Sequence, residues 1–430
     1  MYQARTEVTA GVAVFLAGAY IAIVNPIILS QAGMPFSAVV TATVLVTAVS
    51  SIMMGLWAKN PIFVAPGMGL NAYFTFTVVK GMGLSWEIAL GLVFWSGVFF
   101  MLLSISKVRS YLIKAIPQSL RVGISCGIGL FIAMIGFVNA GIIVDHPATL
   151  VSMAGYSETT LVFVLGLVAT VILIVRRVPG SLLLGMIITT VLAIPIGRWV
   201  GDASSINHGV ATLVSWNGLV RAPDFSLLLK ADLIGSLKFA YIPVMFSFMF
   251  TDLFDSLSTF LAVAYSGNLL GDDGHPQHLD RSLTVDAFST LLAGLVGSSA
   301  GTSYIESAVG IEQGGRTGLV AITAGICFLP LLFFSPAISM IPPLATAPVL
   351  VLVGASMMKM VKQIDWPDLT ESIPVFLAIV LIPMTYSITN GIVWGLLSYT
   401  ALKLVSGKTG QIPAALWAVD GLLMVSFFFH

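Results

Sequence analysis

The sequence predicts an all-α polytopic membrane protein, with about fourteen transmembrane helices in two inverted halves of seven. Three observations lead there. Of 430 residues, 57% are hydrophobic and only 9% are charged, against roughly 25% charged in soluble domains. A chain that apolar stays dispersed only in lipid. Apolar segments fall near 8–30, 38–58, 62–79, 86–106, 117–143, 158–175, 180–199, 235–265, 284–297, 301–314, 317–335, 344–361, 372–387 and 389–406. These are about fourteen runs at the roughly 20 residues a crossing helix needs, several of them short. The halves also echo each other. Val46-Thr-Ala-Val-Ser50 with Gly55-Leu56 matches Val285-Asp-Ala-Phe-Ser289 with Gly294-Leu295 at a constant offset (285 − 46 = 239; 294 − 55 = 239). That offset spans seven segments, an odd number, so the second copy inserts upside down, as in secondary transporters built from inverted repeats.

The first segment follows Arg5 and Glu7 and runs past signal-peptide length without a small-residue cleavage pattern, so it reads as a retained helix. The third segment, FVAPGMGLNAYFTF (Phe63 to Phe76), carries a Pro and two Gly inside an apolar run. The tenth, GSSAGTSYIESAVGIEQGG (Gly297 to Gly315), is equally interrupted. Irregular backbone at membrane depth is tolerated only where protein or a cavity satisfies its polar groups. Paired interrupted segments in the two halves point to a binding site. The tail after Gly410 reads as one more span or an interfacial helix.

Basic residues collect in cytoplasmic loops. With the N-terminus inside, the inside connections hold Arg5, Lys59, the Lys107-Arg109-Lys114-Arg121 cluster, Arg176, Arg177, Arg281, Arg316, Lys359, Lys362, Lys403 and Lys408. The opposite side keeps Lys80, Arg198, Arg221, Lys230 and Lys238, so a cytoplasmic N-terminus is expected. Zero net charge removes any electrostatic case for nucleic acid. Cys126 and Cys327 lie in apolar stretches without CxxC or a His partner and read as packing residues.

The acids carry the functional signal. Asp252 and Asp255 lie inside the apolar stretch Tyr241 to Tyr265, and Glu306 lies inside the tenth segment. A carboxylate at the bilayer centre costs at least about 2.5–3.5 kcal/mol on insertion scales and normally faces a protein interior or a watery cavity. Asp252 and Asp255, three residues apart, share one helix face with Thr251, Ser256 and Thr259 around them. They suit a solute or proton site, or alternatively a hydrogen-bond network between packed helices. Asp255 reads as a ligand contact or as a structural partner. Glu306 can accept paired hydrogen bonds from the N–H groups of a planar ligand, or it can cap a helix start. Asn71, in the comparable place in the third segment, can read a heteroaromatic edge with its donor and acceptor, or cap a kink. Gly67 and Gly69 beside it permit positive φ or a close ligand approach. Phe74, Phe250 and Tyr73 are candidate stacking surfaces among many aromatics. Glu312 reads as a membrane-edge residue.

Other chemistry finds no support. His146, His208, His275, His278 and His430 lie in loops or at the terminus without metal-ligand spacing. No Walker loop is present, which speaks against ATP-driven transport by this chain. No nucleophile–base pair suggests an enzyme, and no cofactor is expected. The run GDDGHPQHLDR (271–281) reads as a solvated loop.

The stretches EVTAGVAVFLAGAYIAIVNPIILS (7–30), APGMGLNAYF (65–74), IPQSLRVGISCGIGLFIAMIGFVNAGIIV (116–144), FTDLFDSLST (250–259), TSYIESAVGIEQGGRTGL (302–319) and YSITNGIVWG (386–395) cover almost the whole chain. In them the chain resembles the nucleobase–cation symporter-2 superfamily, in its AzgA-like branch of purine permeases. The resemblance implies fourteen helices in a seven-plus-seven inverted repeat. Helices 1–4 and 8–11 would form a transport core, over 1–112 and 234–338. Helices 5–7 and 12–14 would form a gate, over 113–233 and 339–430. Short strands in helices 3 and 10 would meet at the substrate. It further implies import of purine bases such as adenine, hypoxanthine or guanine with protons, and a homodimer through the gate. The family's binding residues carry over onto Asp252, Glu306 and Asn71 with Gly69, and Asp255 matches a further functionally important acid. Two departures stand out: Gly18 replaces a bulkier residue, and the Asp252 position can be Asn elsewhere in the branch. The reading is a proton-coupled purine importer of the cytoplasmic (inner) membrane. Glu306 and Asn71 would bind two edges of the base, and Asp252 would contact it or couple it to a proton. The alternatives are a permease of the same fold for uracil, xanthine or an anion, and a channel.

Overall fold

The computed structural model describes residues 2–105, 117–204, 210–270, 276–414, 416–417 and 420. The Lys107-Arg109-Lys114 cluster, His208, His275, His430, the expected boundary at 112/113 and the tail beyond 420 lie outside them.

The first half opens with α1 (Tyr2–Gly18) and α2 (Ile21–Ser30), one span interrupted at Ala19 and Tyr20. Gly18 has a reason in this break: a Cβ there would lie 2.6 Å from Cε1 of Phe63, so only glycine lets the helix come this close. Then come α3 (Phe36–Leu56), entered through Pro35, and the broken third segment. That segment is a strand β1 (Val64–Pro66), a short helix α4 (Met68–Ala72) and a π-helical stretch Tyr73–Gly81. Helices α5 (Trp86–Ile105), α6 (Gln118–Asn139), α7 (Glu158–Val175) and α8 (Ser181–Ala193) complete the half. An antiparallel hairpin, β2 (Ile143–His146) and β3 (Leu150–Met153), lies between α6 and α7, where the sequence suggested only a loop. Ser157 caps α7 by accepting from Thr160 N–H, and Gly180 (φ +70°) turns the chain into α8.

The second half repeats the plan. It comprises α9 (Ile242–Gly267), α10 (Leu279–Val296), a strand β4 (Gly301–Ser303) with α11 (Ser307–Glu312), α12 (Leu319–Phe328), α13 (Pro343–Met357), α14 (Leu369–Met384) and α15 (Ile388–Val405). Asp368 and Ser387 cap α14 and α15, and Asn268 (φ +51°) and Gly297 (φ +96°) end α9 and α10. Among the described residues, eight helices are long and apolar enough to cross a membrane, and three apolar helices are shorter. With α10, which carries Asp280, Arg281 and Asp286, and the two broken segments, the spans among the described residues number fourteen (8 + 3 + 1 + 2).

Helix packing follows the inversion. α3 packs on α12 as α10 packs on α5; α1 on α12 as α9 on α5; α7 on α8 as α14 on α15; α13 on α7 as α6 on α14. α6 and α13, equivalent to each other, pack together. Each pairing turns into its counterpart when the halves are exchanged. Glycines hold the closest crossings: a Cβ at Gly294 would lie 2.6 Å from Phe94 N, and Gly55, its echo, sits against the backbone of Gly318. Asn25 of α2 ties the halves, donating to Thr43 Oγ1 (2.8 Å) and to Ser298 Oγ (3.1 Å) and accepting from Ser299 Oγ (3.2 Å).

Candidate functional site

The two broken segments meet. β1 and β4 pair antiparallel, Val64 with Ser303, Ala65 with Thr302 and Pro66 with Gly301. The ribbon extends through Tyr304 N–H to Phe63 O and Gly67 N–H to Ala300 O, each 2.9 Å. Two short helices leave it in opposite halves, α4 with Asn71 and α11 with Glu306 at its start. Both pack against α9, which carries Asp252 and Asp255.

Glu306 is half-buried and sits at the N-cap of α11 without a side-chain capping bond. Its Oε1 accepts the phenolic hydroxyl of Tyr20 at 2.6 Å. The capping alternative is therefore not realised. Asn71 is fully buried, and neither its Nδ2 nor its Oδ1 has a hydrogen-bond partner. An unpartnered buried amide costs about 1–3 kcal/mol, so Asn71 is no backbone cap either. Asp252 is fully buried; its Oδ2 accepts from Thr290 Oγ1 at 2.5 Å, and its Oδ1 has no partner. Asp255 is half-buried and close enough to Glu306 for the two charges to interact. The polar strip predicted around the two acids divides its work: Ser256 Oγ accepts from Ser303 N–H at 3.1 Å, and Thr251 Oγ1 has no partner.

One acid escaped the sequence reading. Asp286 of α10 is fully buried, accepts from Ser303 Oγ at 3.0 Å, keeps Oδ2 unpartnered and interacts electrostatically with Asp252. Its signal lay inside the internal echo, where Asp286 stands opposite Thr47 (286 − 47 = 239). Among the described residues, none of the four acids has a basic partner within salt-bridge distance.

Five other candidates take different places. A Cβ at Gly69 would clash with Ile128 Cγ2 of α6, and one at Gly67 would lie 2.9 Å from Thr302 Cγ2; Gly67 has φ −70°, and neither glycine has positive φ. Both permit close packing, and no turn needs them. Phe74 is fully buried. Phe250 is stacked between Phe246 (5.8 Å) and Phe254 (6.1 Å) along α9, and the Arg121 guanidinium lies 5.6 Å from the Phe254 ring. Tyr73 stands edge-on to Phe248 and bonds Thr389 Oγ1 through its hydroxyl (2.5 Å). Glu312 is exposed, as expected of a membrane-edge residue, and both cysteines are free.

Inverted halves whose broken segments meet beside buried acids define the class: a secondary transporter. The chain belongs to the Permease family (Xan_ur_permease), the nucleobase–cation symporter-2 family, whose model matches residues 5–393. It is 41% identical over 429 residues to the adenine permease AdeP of Escherichia coli strain K12, covering 99% of this chain and 93% of that protein. It is 37% identical over 414 residues to the guanine/hypoxanthine permease PbuO of Bacillus subtilis strain 168, covering 95% and 93%. Among solved structures it superposes on the transmembrane domain of the cyanobacterial bicarbonate transporter BicA with a TM-score of 0.66 at 16% identity, over 91% of this chain and 97% of that one. The murine anion transporter Slc26a9 in its inward-facing state gives 0.65 at 9% identity, over 94% and 68%. The last two share the fold.

Proposed function

We propose that the chain imports purine nucleobases (adenine, hypoxanthine or guanine) together with protons across the cytoplasmic membrane, with its N-terminus in the cytoplasm. The observation that carries this is the pair of groups on the facing broken segments: a carboxylate, Glu306, half-buried with one oxygen engaged, and an amide, Asn71, buried with both atoms unpartnered. A carboxylate accepts from purine N–H groups, and an amide reads an edge that offers both a donor and an acceptor. Asp252, backed by Asp255 and Asp286, takes up and releases the coupled proton. The core (1–112 and 234–338) moves past the gate (113–233 and 339–430) as a rigid body, carrying the site between the two faces of the membrane. The gate also forms a homodimer. BicA and Slc26a9 are described as carrying bicarbonate and anions; four acids without a basic partner among the described residues do not suit an anion here.

The test is uptake of labelled adenine, hypoxanthine, guanine and uracil by cells lacking their own permeases, with and without a protonophore. Saturable purine uptake that collapses with the protonophore is expected, and Glu306→Gln should abolish it while the protein still reaches the membrane. No purine uptake by well-expressed protein would refute the substrate class.

A further inference from the structure

In an antiparallel pair, successive residues turn their peptide groups alternately toward the partner strand and away from it. Phe63–Tyr304 and Gly67–Ala300 hold the bonded rungs, so Val64, Gly301 and Ser303 point their N–H and C=O groups outward. Three helices serve four of those six outward groups. Ser51 of α3 serves both Val64 N–H and Val64 C=O at 3.0 Å, Ser256 of α9 takes Ser303 N–H, and Thr290 of α10 reaches Gly301 C=O at 3.1 Å.

Ser51 and Thr290 are equivalents in the inverted repeat (290 − 51 = 239). Each hydroxyl binds the outward backbone of the strand in its own half. Only Thr290 also touches an acid, Asp252 Oδ2. A hydroxyl has one proton to donate, and Thr290 has two acceptors within reach. When Asp252 is ionised, its oxygen is the stronger acceptor, and the Thr290 hydroxyl donates its hydrogen bond there. When Asp252 carries its own proton on Oδ2, it donates to Thr290 Oγ1, and the Thr290 proton swings to the Gly301 carbonyl. No proton leaves Thr290 in either state; the hydroxyl rotates.

We propose that Thr290 is a positioning residue that reports the protonation of Asp252 to strand β4, five residues before Glu306. This rests on the proton-coupled reading above. The acidic groups facing the pair are Asp255 on α9 and Asp286, one turn from Thr290 on α10 and held by Ser303. α3, β1 and β4 contribute no charged residue, and α5 contributes only Glu87 in its first turn. The strand is close enough to feel the change: Gly301 lies against the Ser289 hydroxyl with no room for a Cβ.

The experiment compares the wild type with Thr290→Val, which keeps the shape and loses the hydroxyl, and Thr290→Ser, which keeps the hydroxyl. All three are reconstituted in liposomes with labelled adenine, hypoxanthine or guanine, whichever the wild type carries. Equilibrium exchange at equal pH is measured beside accumulation driven by a pH gradient. Thr290→Val should exchange base near the wild-type rate and lose at least about tenfold in gradient-driven accumulation, a coupling loss in the usual 5–150-fold range. Thr290→Ser should retain both. Wild-type accumulation by Thr290→Val, or equal loss of exchange and accumulation, would overturn the proposal. A wild type that exchanges base but ignores the gradient would overturn the proton-coupled reading itself, and this inference with it.

Discussion

Tyr20 donates its hydroxyl to Glu306 across 286 residues of sequence, at 2.6 Å. The bond exists because the first span breaks just before α2, turning the Tyr20 ring inward within 6.5 Å of the Tyr304 ring. Tyr304 in turn meets Phe63 edge-on at 5.5 Å and gives its own hydroxyl to Pro66 O. One oxygen of Glu306 is thereby fixed, and under the proposed function the other is the one that meets the base.

Removing that donor should loosen the carboxylate. A hydrogen bond to a charged group is worth about 1.5–3 kcal/mol, so Tyr20→Phe should raise the KM for the base about tenfold or more. Maximal rate and thermal stability should stay near wild type. An unchanged KM in initial-rate uptake would show that Glu306 holds its place without Tyr20.

Asp286→Asn tests the acid that lies behind the site. Asparagine keeps an acceptor for Ser303 Oγ and removes the charge facing Asp252. Uptake should fall at least about tenfold, the scale of one coupling interaction, while the protein inserts and melts normally. Normal gradient-driven accumulation would make Asp286 a packing residue.

At the end of the molecule where α9 and α15 begin, a hydroxyl chain joins three elements. The Tyr73 hydroxyl pairs with Thr389 Oγ1, which donates to Ser247 Oγ at 3.0 Å, and Thr77 gives its proton to Tyr386 O at 2.5 Å. Thr389→Val removes the middle link, and hydrogen–deuterium exchange of Tyr73–Gly81 should accelerate. Unaltered exchange there would show that apolar packing alone closes this end.

Lys403 is a fully buried cation, 2.6 Å from Glu371 Oε1 and 2.8 Å from Gln411 Oε1. Glu371 also accepts from Ser119, which ties α14 and α15 to the start of α6. Lys403→Met strands the carboxylate and should cost about 3 kcal/mol or more, visible as a lower melting temperature in detergent. The KM of the surviving protein should not move, because the cluster's bonds run to Asp368, Glu371, Gln411 and Ser119, away from Asp252, Glu306 and Asn71.

Much of this was legible in the sequence, and the gaps have physical causes. Apolar runs, the two Gly- and Pro-broken segments and the 239-residue echo report what each segment must bury, and they led to fourteen spans and to Asp252, Glu306 and Asn71. They do not report which distant side chain completes a contact. Tyr20 was invisible because one aromatic in an apolar helix carries no signal until the Glu306 oxygen lies beside it. Asp286 was in plain view as part of the echo, but a matched pattern draws attention to similarity, and its meaning lay in the mismatch with Thr47. Gly69, read as allowing positive φ or a close ligand approach, has no positive φ and is packed so closely on Ile128 that a Cβ would clash. Phe250 has Phe246 and Phe254 against its two faces.

The exchange of partners between halves bears on how the chain is made. Because α3 rests on α12 and α5 on α10, the first seven spans leave the ribosome before the surfaces that cover them exist. Asn25 then has Thr43 at hand and waits for Ser298 and Ser299. Two fragments parted near residue 233 should therefore assemble only when synthesised together, and a lone first half should be a substrate for membrane quality control.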